Sequence, residues 1–231
     1  MIMKKIIYLI LLISNFSYSQ SNITVEYDVK IQNEAIFKTN ADLRKLMDNA
    51  IKNANNLKFV LNGNMNQSHF FSKNYLSAED KLLTNSDLIF AGYLGETYQK
   101  NDTLYKSSNL LGNNIFVKKQ VKFDWTLQNE SKEINGFLCY KATSTNKIVY
   151  GDKVFNHPVT AWYCPTLPYH FGPNGYSGLP GLILELQVRN VVYGASKIEL
   201  NSKENFTFNT NKMKILNEKE FEEALDKLDD F

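Results

Sequence analysis

Two mirrored stretches restrict the fold of this chain more than any other feature of its sequence. Read forward from Cys139 the residues are CYKAT, and read backward from Cys164 they are CYWAT. In a hairpin that turns at residues 151–152, Cys139 faces Cys164, and the Tyr, Ala and Thr positions as far as Thr143 and Thr160 each face a residue of the same type. Such pairs contribute about 0.2–1 kcal/mol each, and Gly-Asp suits a type II′ turn. The sequence therefore predicts a long antiparallel hairpin with one register.

The distal part of this hairpin is expected to differ from its base. Pro158 lies opposite Thr145 in the predicted register and has no N–H to donate to a ladder. We therefore expect the distal part to be an edge or to carry a bulge.

The first 19 residues have the pattern of a secretory signal peptide. Lys4 and Lys5 precede an apolar run over residues 6–16, and small polar residues follow as far as Ser19. The apolar run is shorter than the roughly 20 residues that span a bilayer, so we expect no stable membrane span. Residues 20–231 contain no repeat or low-complexity linker, which favours a single domain that is exported to the periplasm or secreted.

The charge balance gives no support to nucleic-acid binding. The whole chain has 26 basic and 24 acidic residues, and removal of Lys4 and Lys5 would make the two numbers equal. A neutral chain without a basic run lacks the electrostatic footprint that a nucleic-acid partner requires.

Cys139 and Cys164 are the two cysteines of the chain. Because export leads to an oxidising compartment, a Cys139–Cys164 disulfide is the favoured interpretation. Two buried free thiols are the main alternative. A metal site is disfavoured because no second ligand pair has a suitable spacing, and we expect neither a metal nor a cofactor.

Hydrophobic periodicity predicts an α+β fold that is mostly β. Residues 22–31 alternate apolar and polar side chains as in a half-buried strand, whereas residues 40–54 have helical spacing after a cap at Asn40 or Thr39. Residues 217–231 carry a second, narrow helical stripe, and residues 75–120 are expected to form short strands and loops. Successive strands with a helix near each end imply a strongly curved antiparallel sheet, a half-barrel or bowl, with an N-terminal and a C-terminal helix.

Residues 160–186 combine rigidity with aromatic side chains. They contain four of the five prolines and four of the eleven glycines, which together give a long connection one shape. In one interpretation this segment closes an end of the bowl, with Leu179 and Leu182 as a plug in the core. In the other it exposes a recognition surface for sugars, lipids or peptides. The residues assigned to a ligand-binding or docking surface are Trp162, Tyr163, Tyr169, His170, Phe171, Tyr176 and Leu179.

The sequence GYSGLPGLILEL, preceded by TAWYCPTLPYHFGP and by FDWTLQNESKEINGFLCYKATST, resembles the bacterial GLPGLI family. The structural motif of that family corresponds here to Gly178, Leu179, Pro180, Gly181, Leu182 and Ile183. The resemblance also covers the signal peptide, the early helix and the block over residues 123–199, but not residues 75–120. It implies a bowl-like half-barrel, similar to lipoprotein carriers of the LolA type and, more loosely, to the N-terminal domain of a secreted glycan-cleaving amidase. The family has no assigned activity.

Two features depart from the family pattern. Family members usually have a threonine-like residue at the position of Cys164, so a disulfide would be particular to this chain. The hairpin between Thr143 and Thr160 is also longer than usual, which indicates an extended ribbon.

These observations leave three functional hypotheses. The favoured one is an exported, non-enzymatic binding or carrier protein that holds a lipid-like or small amphipathic ligand in the bowl. The alternative is a module that docks on an envelope protein or a glycan through residues 160–186. The third, a hydrolase that uses His170 or His157, is disfavoured because none of the three histidines lies in a nucleophile or ligand motif and Ser177 lacks the spacing of a nucleophile elbow.

Overall fold

A single open sheet contains every strand that the structure describes. The computed structural model describes residues 22–34, 40–73, 85–112, 114–151, 153–204, 206 and 208–229, so the predicted signal peptide and the turn residue Asp152 lie outside the described residues. The strands are β1 (Ile23–Ile31), β2 (Lys58–Gly63), β3 (Gln67–Ser72), β4 (Thr97–Lys100), β5 (Thr103–Ser108), β6 (Ile115–Gln120), β7 (Thr126–Ile134), β8 (Phe137–Tyr150), β9 (Lys153–Cys164), β10 (Leu182–Val188), β11 (Val191–Leu200) and β12 (Lys214–Asn217). The helices are α1 (Ala41–Asn53), α2 (Asn85–Phe90) and α3 (Glu218–Asp229).

The sheet is curved and does not close, which confirms the predicted mostly-β class with a helix near each end. Its strand order is β12-β6-β5-β4-β3-β2-β1-β11-β10-β9-β8-β7. Ten neighbouring pairs are antiparallel, and the pair β12–β6 at one edge is parallel. Between β11, which pairs with β1, and β12, which pairs with β6, the chain crosses the strands that separate them in the sheet.

The register of the β8–β9 hairpin is the predicted one. Tyr140 pairs with Tyr163, Thr143 pairs with Thr160, and the ladder continues through Pro158 to Tyr150. Neither β7 nor β10 extends along the distal part, which therefore projects beyond its neighbours as a two-stranded ribbon, defined here as residues 144–158. The edge character predicted for Pro158 is confirmed.

The two cysteines are free thiols in this structure, so the predicted Cys139–Cys164 disulfide is not formed in it. The Sγ atom of Cys139 lies 3.5 Å from the carbonyl oxygen of Phe137, and that of Cys164 lies 3.0 Å from Oγ1 of Thr166. Burial, followed by the neighbouring Cys164, raises the pKa of Cys139 to about 12. Because the thiolate is the reactive species, a protonated buried thiol is slow to oxidise.

Local capping explains where α1 and α3 begin. The Asn40 side chain accepts hydrogen bonds from the backbone N–H groups of Asp42 and Leu43, as the sequence predicted. Asn217 and Glu220 form a reciprocal capping box before α3.

The core face of the sheet is filled at its centre by aromatic rings. Phe59 lies 5.6 Å from Phe70 and 5.2 Å from Tyr193 between ring centroids, and all three side chains are buried. The Tyr27 hydroxyl donates a hydrogen bond of 2.7 Å to the carbonyl oxygen of Ile183, and burial raises its pKa.

Strand β10 does not alternate simply between buried and exposed side chains. Leu182, Ile183, Leu184 and Leu186 are all fully buried. The register with β9 shifts between Ile183 and Glu185, and this irregularity moves consecutive side chains into the core.

Candidate binding pocket

The connection between β9 and β10, residues 165–181, is called here the Pro/Gly segment. It folds back on the strand that follows it, because the N–H of Leu182 donates to the carbonyl of Leu167 at 2.9 Å and the N–H of Ile183 donates to that of Phe171 at 3.0 Å. It also reaches β4, where the Nε2 of Gln99 donates to the Oγ of Ser177 at 2.7 Å. The segment therefore joins two parts of the sheet that are distant in strand order.

Close packing explains one of the glycines in this segment. Gly175 has φ +78°, and a β-carbon there would lie 2.5 Å from Cδ1 of Leu104 on β5. Both the positive φ and the contact favour a residue without a side chain.

The structure places five of the seven predicted surface residues in the core. The buried residues are Tyr163, Tyr169, Phe171, Tyr176 and Leu179. Tyr176 stacks on Phe123 with ring centroids 4.7 Å apart, and burial raises the pKa of Tyr176 to about 12. Four of the five, all but Tyr163 of β9, belong to the Pro/Gly segment and therefore pack as its plug in the core.

The other two predicted residues, Trp162 and His170, reach solvent. The ring of Trp162 is half-buried beneath the Nζ of Lys132, which lies 4.4 Å from the ring centroid and forms a 2.8 Å ion pair with Glu185. Trp162 is therefore already covered by a cation, whereas His170 lines a pocket.

A pocket of about 320 Å³ lies where the Pro/Gly segment meets two turns of the sheet. The turn between β2 and β3 contributes Met65 and Asn66, and the end of β4 with the following turn contributes Gln99, Asn101 and Asp102. The remaining walls come from the Pro/Gly segment: His170, Phe171, Ser177 and Gly178. Three parts of the chain thus supply an apolar corner, several amide groups, a carboxylate, a hydroxyl and an imidazole.

Gln99 is the buried polar residue of this pocket, with 4% of its surface exposed. Its Nε2 donates to the Oγ of Ser177 at 2.7 Å and to the carbonyl oxygen of Asn101 at 3.2 Å. Its Oε1, in contrast, accepts no hydrogen bond within the structure as described. An unpaired buried acceptor costs about 1–3 kcal/mol, so a hydrogen-bond donor that reached this atom would remove that cost.

His170 presents one ring nitrogen as an acceptor. Its Nδ1 lies 2.8 Å from the carbonyl oxygen of Leu179, and since a carbonyl can only accept, Nδ1 carries the proton. In the neutral ring Nε2 is then the acceptor.

The three histidines of the chain differ in whether they pair with a carboxylate. Among the described residues, neither His157 nor His170 forms an ion pair with a carboxylate. His69 does, because its Nε2 lies 2.8 Å from Oε2 of Glu96, but its ring is stacked on Tyr98 at 4.0 Å and on Phe206 at 5.5 Å. This pair belongs to a half-buried aromatic cluster on the other face of the sheet.

Sequence reasoning identified His170 and Phe171 but missed the pocket residues of β2–β5. Met65, Asn66, Asn101 and Asp102 look like ordinary turn residues, and Gln99 belongs to a strand that the sequence outlined only as part of residues 75–120. The Asn-Asp pair at residues 101–102 was the available signal, and it indicates a turn without indicating a site.

Two features are absent from the described part of the chain. It contains no group of three or more His, Cys, Asp or Glu side chains with the arrangement of a metal site. None of its helices has the length and hydropathy of a transmembrane segment.

The chain is a curved, open β-sheet protein with a small, mostly polar pocket beside the Pro/Gly segment. A family described as "Protein of unknown function (Porph_ging)" matches residues 151–185, which include strand β9, the Pro/Gly segment and the start of β10. No curated protein matches the sequence.

Two solved structures of PNGF-II, from different space groups, are similar in fold. They superpose with TM-scores of 0.53 and 0.52 at 13% sequence identity, and in both cases the match covers 90% of this chain. This chain spans about a third of PNGF-II, 33% and 34% in the two structures. At this identity the similarity shows the fold alone.

Proposed function

We propose that this protein is an exported, non-enzymatic binding protein and that its ligand occupies the pocket between the Pro/Gly segment and the turns after β2 and β4. The buried Oε1 of Gln99, which lacks a partner in a pocket of about 320 Å³, carries this proposal. Ligand pockets typically have volumes of roughly 300–1,000 Å³, so a small molecule fits. The predicted export signal supports a periplasmic or extracellular localisation.

The position and lining of the pocket favour a more polar ligand than the one that the sequence suggested. An apolar or amphipathic ligand was expected in the bowl, yet the centre of the core face holds Phe59, Phe70 and Tyr193. The available pocket lies beside this core and has Met65 and Phe171 next to amide and carboxylate groups. This lining supports a small polar or amphipathic ligand in preference to a lipid chain.

We also propose that the chain belongs to the GLPGLI family. The supporting observations are the literal motif at residues 178–183 and the family match over residues 151–185. The similarity to a LolA-type carrier remains an analogy of sheet curvature.

Native mass spectrometry of protein exported by the producing cell and purified without detergent tests the binding proposal. We expect a small-molecule adduct that is lost on denaturation. Asn66 is exposed at the pocket and Asn109 is exposed in the turn after β5, so Asn66→Trp should block the pocket and remove the adduct, whereas Asn109→Trp should keep it. A bare wild-type mass, or an adduct that Asn66→Trp leaves in place, would contradict the proposal.

A second candidate function is docking on an envelope protein or a glycan. Exposed apolar pairs on the ribbon favour it: Ile148 faces Phe155, and Val149 faces Val154. Each of these four residues has 45–69% of its surface exposed to solvent. Sedimentation with isolated envelopes tests it: Phe155→Ser should release the protein, and Asn156→Ser on the same strand should not. Equal retention of both variants would remove this candidate.

A further inference from the structure

We infer that the pocket takes an uncharged ligand rich in hydroxyl groups, of the class of sugars and polyols, with Gln99 as the residue that selects it. The inference rests on the proposed binding function and specifies its ligand. It follows from the hydrogen-bonding capacity, the charge and the shape of the pocket.

The pocket offers several hydrogen-bond acceptors in addition to the side-chain amides of Asn66 and Asn101. Oε1 of Gln99 has no partner, Nε2 of His170 is the acceptor of the neutral ring, and Asp102 contributes a carboxylate. The hydroxyl of Ser177 already accepts the N–H of Gln99, so its own proton is available to a ligand. A ligand that satisfies this set donates several hydrogen bonds and accepts at least one, which is the capacity of neighbouring hydroxyl groups.

The charge of the lining disfavours an anion. None of the nine residues that form the pocket is Lys or Arg, and Asp102 would repel a carboxylate or phosphate. A cation could approach Asp102, which is exposed, but the acceptor that is buried and unsatisfied is the neutral amide of Gln99. Burying an ammonium group against an amide costs far more than burying a hydroxyl there, so a neutral donor is favoured.

The apolar corner fits the carbon skeleton of the same class. Met65 and Phe171, from two different segments of the chain, line the same pocket as the amide groups of Gln99 and Asn101. A sugar or polyol presents C–H groups and hydroxyl groups side by side, so one molecule can contact both kinds of lining.

Methionine methyl NMR on the full protein tests the inference, because the pocket contains Met65 and the core contains Met47, which is 1% exposed. Protein labelled with ¹³C at methionine methyl groups would be titrated separately with D-glucose, sorbitol, propylammonium chloride and sodium acetate. We expect D-glucose or sorbitol to shift the Met65 resonance to saturation while Met47 stays unchanged. Propylammonium and acetate should leave both signals in place.

Two separate glutamine variants test whether Gln99 is responsible for ligand binding. Gln99→Leu removes the unpaired acceptor and should weaken the binding of the responding probe by about tenfold, the loss expected for one hydrogen bond of about 1.4 kcal/mol. Gln187→Leu changes a half-buried glutamine on β10 and should leave the affinity unchanged. If Gln99→Leu does not fold, Asn66→Trp serves instead and should abolish saturation.

The possible outcomes distinguish a wrong ligand class from a wrong binding function. A saturable shift with propylammonium or acetate but with neither hydroxyl compound would overturn the ligand class and leave the pocket as a binding site. The absence of any shift on Met65 would overturn the ligand class as well, and the native mass spectrum would then decide whether the pocket binds anything. Equal affinity in wild type and Gln99→Leu would overturn the role of Gln99.

Discussion

Gly181 lies against the carbonyl group of Cys164: a β-carbon on Gly181 would be 2.2 Å from that oxygen. The contact joins the end of β9 to the residue before β10, where the Pro/Gly segment closes on itself. Because the neighbouring atoms belong to the backbone, no side-chain movement can relieve such a clash. The second glycine of the GLPG sequence is therefore required by packing as well as by its φ of +154°.

The two glycines of this motif should respond differently to substitution. Gly178 has φ +86°, and a β-carbon added there would have no atom within 4 Å. Gly178→Ala should therefore lower the free energy of unfolding by about 1–2 kcal/mol through the backbone conformation alone. Gly181→Ala adds the clash with Cys164 and should cost more than about 3 kcal/mol. Urea unfolding of both variants measures the difference, and equal losses would show that the contact does not determine the requirement.

Lys106 should make stability depend on pH in the alkaline range. Burial, followed by repulsion from Lys119, lowers the pKa of Lys106 to about 8. Between pH 8 and the ordinary lysine pKa of 10.5 the unfolded chain holds the proton more tightly than the folded protein does. The contribution of Lys106 therefore makes the free energy of unfolding rise with pH across that window.

Lys106→Met removes the half-buried charge and should stabilise the protein at pH 7 by about 1–3 kcal/mol, with a smaller gain at pH 10. The comparison with wild type at each pH cancels the opposing contribution of Cys139, whose raised pKa stabilises the folded state below pH 9 and loses that effect as pH rises towards 12. Lys118→Met, an exposed change on the neighbouring strand, is the control. Urea unfolding at the two pH values provides the measurement, and a gain that is the same at both would contradict the assignment.

Tyr193→Phe should destabilise the contact between the Pro/Gly segment and the loop after α2. The Tyr193 hydroxyl donates to the carbonyl oxygen of Ala91 and accepts from the Nδ2 of Asn174 at 3.0 Å, so its removal leaves a buried carbonyl unsatisfied. The expected loss is about 1–3 kcal/mol. Tyr105→Phe removes a hydroxyl from a half-buried ring and should cost less than about 0.5 kcal/mol. Thermal unfolding of the two variants would show no difference if the hydroxyl of Tyr193 were dispensable.

The two thiols should be protected from alkylation and slow to oxidise in the folded protein. Both cysteines are buried, and the pKa of Cys139 is raised. We expect iodoacetamide to modify neither residue until urea unfolds the chain. Rapid alkylation of the native, reduced protein would contradict the burial.

Local features of the fold were predictable because short-range interactions determine them. The alternation in β1, the cap at Asn40 and the like-with-like pairs from Tyr140 to Thr143 each depend on residues that are close in sequence or joined by one turn. The parallel placement of β12 beside β6 was not predictable, since nothing near either strand indicates the partner.

The amino-acid sequence by itself determined the register of the β8–β9 hairpin and the stiffness of the Pro/Gly segment, because both follow from side-chain types at fixed local spacing. Only the tertiary structure decided that the aromatic rings of that segment face the core and that His170 and Phe171 meet Gln99 in a pocket. Stiffness specifies a shape but not which side of it is buried. That choice depends on contacts such as the hydrogen bond between Gln99 and Ser177, whose partners are 78 residues apart.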